Sequence, residues 1–72
     1  MTHQGCAMTS APDVNGNRFD PEMVEQAADS LKQKGHIEIM GRDTPLTRVW
    51  LERPNAETVE CWIAWEEDTL HA

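Results

Sequence analysis

An α+β domain, with one N-terminal helix packed on a three-stranded antiparallel sheet in the order α-β-β-β, is the fold class the sequence predicts, and three observations carry it. Residues 19–35 combine a helix start, an apolar stripe at 3-and-4 spacing and a helix stop. Residues 36–65 hold three segments in which apolar and polar side chains alternate, the period of a half-buried strand. The chain has only 72 residues, so it forms one domain that buries about 60% of its unfolded surface, enough for one helix on one sheet.

Residues 1–18 are rich in Thr, Ser, Gly, Asn and Pro and show no apolar period. Such a stretch does not repay the entropy of ordering by burial, and it reads as a flexible tail preceding a single domain over residues 19–72. The helix begins where several rules agree. Asp20 suits the N-cap, Pro21 the first helical position and Glu22 the positive end of the dipole, while Phe19 and Val24 have the spacing of a hydrophobic staple. Met23, Val24, Ala27, Ala28 and Leu31 then share one face, and Lys32, Lys34 and Gly35 supply the stop.

The first strand spans His36 to Met40, with Ile37 and Ile39 on one face, and Gly41 to Pro45 reads as a turn or loop. Leu46 to Glu52 sets Thr47, Val49 and Leu51 against Arg48, Trp50 and Glu52. Val59 to Trp65 sets Val59, Cys61, Ile63 and Trp65 against Glu60, Trp62 and Ala64, and Arg53 to Thr58 connects the two strands. The expected register pairs Arg53 with Glu57, placing Arg48 opposite Trp62 and Leu51 opposite Val59. The alternative register, with Trp50 opposite Trp62, opposes Glu52 to Glu60 and is disfavoured for that reason. Both registers preserve the faces.

One helix covers one face. The other face then displays Met40, Arg48, Trp50, Trp62 and Glu60, together with Glu38, Glu52 and Ala64. Tryptophan and arginine ringed by charge is the composition of an interaction surface, and these residue types dominate binding energy when truncated. The plainer alternative is that the two tryptophans cover each other or lie beneath the tail.

Thirteen acidic against six basic residues give a net charge of −7. This charge repels phosphate backbones and anionic membranes, which disfavours direct nucleic-acid or membrane binding. No Lys or Arg follows Arg53, and the acidic run Glu66, Glu67 and Asp68 closes the hairpin. Together with Glu60, these residues form a field suited to a protein partner with a basic, nucleic-acid-binding groove. In size and charge the chain is similar to small acidic inhibitors of phages and plasmids, including anti-CRISPR proteins, although no motif matches a particular inhibitor family.

The expected function is therefore a small non-enzymatic protein-binding module that regulates or inhibits a larger protein. The alternative is an accessory subunit or a homodimer assembled through the Trp face. No catalytic triad spacing, phosphate loop or cofactor motif is present. His3 and Cys6 have H-x-x-C spacing, and Cys61 and His71 would complete a four-ligand set. One pair falls in the presumed tail and Cys61 in the core, so neither a metal nor another cofactor is expected. The lack of a secretory signal or apolar span, and of a disulfide pattern, points to the cytoplasm.

Overall fold

A computed structural model describes residues 2–66. It is α+β, and its elements run β1 (Thr2–Thr9), α1 (Pro21–Lys34), β2 (His36–Ile39), β3 (Arg42–Glu52) and β4 (Glu60–Glu66). The sheet has four antiparallel strands in the order β1-β4-β3-β2. Two expectations are corrected here. The sheet is four-stranded rather than three-stranded, and the helix follows a strand instead of opening the fold.

The helix itself obeys its local signals. Asp20 Oδ1 accepts from the Glu22 N–H at 2.9 Å, Pro21 occupies the first position, and the Gly35 N–H reaches the Leu31 carbonyl at 2.9 Å with Gly35 at φ 73°. Only glycine takes that left-handed cap without a steric cost from Cβ. Val24 and Ala28 are fully buried, whereas Met23 and the intended staple residue Phe19 are about half exposed. The core is small: Val24, Ala28, Val59 and Cys61, with Met8, Leu31, Val49 and Leu51 packed around them.

Residues 2–9, expected to be flexible tail, instead pair along the whole of β4, from Thr2 opposite Glu66 to Thr9 opposite Glu60. Their own sequence offers little apolar surface, so the cause lies in β4. The Trp65 ring lies 3.7 Å from where a Cβ on Gly5 would stand and stacks on His3, with centroids 5.5 Å apart and planes 19° apart. At the other end the Ser10 N–H donates to the Val59 carbonyl at 3.0 Å, and the Val59 N–H donates to Ser10 Oγ at 2.8 Å. Beyond Ser10 the chain is ordered by Asp13, whose carboxylate accepts from the N–H groups of Asn15 and Asn17 at 2.8 and 3.0 Å.

The segment Gly41 to Pro45 is also corrected. Met40 and Gly41 have φ of 53° and 79°, the positive values of a two-residue hairpin turn, and β3 begins directly at Arg42 opposite Ile39. Further along β3 a bulge between Leu46 and Arg48 places Leu46 opposite Trp65 and leaves Thr47 exposed, in place of the expected Thr47, Val49, Leu51 face.

The β3–β4 register is the one disfavoured on sequence: Trp50 opposite Trp62, Leu51 opposite Cys61 and Glu52 opposite Glu60. Two contacts offset the opposed carboxylates. Trp50 Nε1 donates to Glu52 Oε1 at 3.1 Å, and Trp62 Nε1 donates to Glu60 Oε2 at 2.8 Å. The expected register also needed a tight loop after Arg53. Here Val59 is bonded to Ser10, and Asn55 Oδ1 holds the longer connection by accepting from Glu57 and Thr58 N–H at 2.8 and 2.9 Å.

Trp65→Ala is expected to release β1 while leaving α1 and β3 in place. The cost should be about 2–3 kcal/mol, below the value for a fully buried tryptophan because the ring is only partly covered. Hydrogen exchange that loses protection over residues 2–9 alone is the expected result. Uniform loss across the chain would place Trp65 in the folding core instead.

Candidate interaction face

Alternation carries Arg48, Trp50 and Glu52 of β3, and Glu60, Trp62 and Ala64 of β4, to the side of the sheet away from α1. The two indoles stack with centroids 6.3 Å apart and planes 22° apart. Arg48 Cζ lies 4.6 Å from the Trp50 ring centroid, a cation–π contact worth about 0.5–1 kcal/mol at an exposed site. Each indole N–H is held by a glutamate two residues along its own strand, which fixes the rings without burying them. Trp50 and Trp62 are both half-buried.

Of the residues singled out on sequence, the structure thus brings together Arg48, Trp50, Trp62 and Glu60. Met40 stands apart, at the tip of the β2–β3 turn and 97% exposed. From there β3 runs eight residues past Arg42 before reaching Trp50, a distance of roughly 27 Å at the rise of a strand. Glu66 ends β4 opposite Thr2, whose hydroxyl approaches its carboxylate at 3.4 Å. Glu67 and Asp68 lie outside the described residues.

Sequence reasoning left one participant out: Cys6, opposite Trp62, adds β1 to the same face. Glu52, placed on this face by alternation, is in addition an indole acceptor. Glu52 was legible from its spacing to Trp50. Cys6 was not, because nothing in residues 1–18 marks a strand.

Cys6 is exposed and donates to the Met8 carbonyl at 3.5 Å. Its thiol is pushed above its ordinary pKa, first by desolvation and then, against the lowering effect of the Met8 carbonyl contact, by the Glu60 and Glu52 carboxylates. Cys61 is buried, and burial is the main reason its thiol is raised too. His3 faces Trp65 on the helix side while Cys6 lies on the outer side, so the H-x-x-C pair is split between faces. Among the described residues no group of three or more His, Cys, Asp or Glu is placed to hold a metal ion.

A shallow cleft of about 170 Å³ lies between the end of α1 and the β3 bulge, lined by Leu31, Lys32, Gly35, Leu46, Thr47, Arg48 and Val49. Pockets that enclose a metabolite-sized ligand run from about 300 to 1,000 Å³. Among the described residues no helix is long and apolar enough to cross a membrane.

The position of Cys6 gives a direct readout of this face. Alkylation at neutral pH should be slower than for an unhindered thiol, because a raised pKa leaves less thiolate, and it should accelerate as pH rises. Glu60→Gln should speed the reaction by removing a charge that opposes ionisation. An unchanged rate in that variant would show that Glu60 does not act on Cys6. Comparison with family models, with curated proteins and with solved structures finds no match for this chain.

Proposed function

We propose that this chain is a non-enzymatic protein-binding module that regulates or inhibits a larger protein by engaging a basic surface of it. The observation that supports this reading is the stacked pair Trp50 and Trp62, bordered by the opposed carboxylates of Glu52 and Glu60 on the face that α1 leaves uncovered. The indoles offer flat apolar area at little entropic cost, since each is already held by its N–H bond. The carboxylates use one oxygen each on an indole and keep further acceptor sites for an incoming arginine or lysine.

The net charge of −7 brings such a partner in from a distance and repels phosphate. A basic groove that normally holds nucleic acid is the partner chemistry this field fits, which makes charge mimicry the mode of inhibition. Self-association through the same face is less favourable, because a two-fold contact there would bring the glutamate pair of one copy near that of the other.

The test is capture on the tagged chain from nuclease-treated lysate at low and high salt, followed by affinity measurement on the protein recovered. A basic protein lost at high salt is expected. Trp62→Ala should weaken it about 30-fold, the size of a hot-spot loss of about 2 kcal/mol. Glu52→Lys with Glu60→Lys should abolish capture while the far-UV spectrum is retained. Capture that survives high salt and both sets of substitutions would refute the reading.

A further inference from the structure

β1 is an edge strand, and its outer edge has a determinable polarity. The Ser10 N–H donates to the Val59 carbonyl, so Val59 and, within β4, Cys61, Ile63 and Trp65 direct their backbone polar groups toward β1. Opposite them, His3 and Gly5 face inward. Thr2, Gln4 and Cys6 therefore direct their N–H and C=O groups outward, and among the described residues no strand pairs with that edge. The regular run ends at Cys6, where the bulge before Met8 interrupts it.

Edges of this kind are commonly blunted by lysine, proline, inward charge or a bulge, and the bulge of β1 lies beyond Cys6. The run from Thr2 to Cys6 contains none of these, and β1 is the one described strand without a formally charged side chain. The opposite edge, β2, is only four residues long and carries Glu38. In a chain with a net charge of −7, a neutral strand is the place where a second copy can approach without setting like charges against each other.

We propose that two copies pair antiparallel through β1 about a two-fold axis at Gln4. In this register Thr2 lies opposite Cys6 of the second copy and Gln4 opposite Gln4. These are the outward-directed residues, so every such pair exchanges two hydrogen bonds. A shift by one residue sets outward groups against inward ones, and a shift by two shortens the paired run. His3 then meets Gly5 across the axis, the largest side chain of the run against the smallest. The contact is isologous and closes on itself. It leaves the Trp50 and Trp62 face of each copy open on the same side of one continuous eight-stranded sheet. It is independent of what that face binds.

Sedimentation of the full chain over a concentration series tests the proposal. A concentration-dependent dimer is expected. Gln4→Pro removes an N–H that points away from β4, a position where an edge strand accepts proline, and should yield a monomer. Gln4→Glu keeps every backbone donor, places like charges across the axis and should do the same. Gln4→Cys in a Cys6→Ser background should crosslink copies under mild oxidation, because paired Cα atoms about 5.5 Å apart lie within disulfide range. A monomeric wild type, a dimer indifferent to both Gln4 substitutions, or one lost instead on Trp50→Ala would overturn the proposal.

Discussion

β4 is the constraint on which the rest of the structure depends, because it is paired on both of its edges. It carries Cys61, Ile63 and Ala64, all buried, and α1 seals Cys61 with Val24 and Ala28. A strand so apolar exposes costly backbone groups on any edge left unpaired within a small domain. β3 takes one edge and β1 the other, which turns a helix-on-hairpin arrangement into a four-stranded layer. The core remains thin, and backbone pairing along both edges of β4 adds to burial in holding the sheet together.

This arrangement also determines what the outer face can become. Because β4 is central, Trp62 is flanked by Trp50 on one side and by Cys6 on the other, and the aromatic pair lies in the body of the sheet instead of at its rim. The indole N–H groups anchor to glutamates on their own strands, so the rings are preorganised by local bonds without a second layer above them. The same bonds make the opposed Glu52 and Glu60 tolerable, and thereby link register to the electrostatics of the face.

Most of the architecture from Asp20 to Glu66 was legible because its signals are local. The capping residues, the Val24 and Ala28 stripe and the alternation around Trp50 and Trp62 each act within a few residues. The largest error involves partners far apart in sequence. Residues 2–9 become a strand through Gly5 and His3 meeting Trp65, a contact no window of residues 1–18 reveals. The register was misjudged because repulsion between glutamates was weighed without the indole donors that engage them. The Met40 and Gly41 turn was available in principle, since a glycine directly before a strand permits a tight hairpin, but Pro45 suggested a longer loop. For the candidate face, the composition was readable and the clustering of Arg48, Trp50 and Trp62 followed from alternation alone. The contribution of Cys6 required the unseen strand.

The pairing of Thr2 with Glu66 bears on how the molecule is made. A contact between residues 64 apart in sequence closes a long loop, and such closure is slow compared with forming a helix or a local hairpin. On the ribosome, β1 emerges before β4 and finds no partner until β4 has left the exit tunnel. The helix and the β2–β3 hairpin have time to form in that interval, whereas β1 can join the sheet only after β4 is available. Of the described strands, β1 is thus the earliest made and the latest installed, and its backbone groups stay unpaired in the interval.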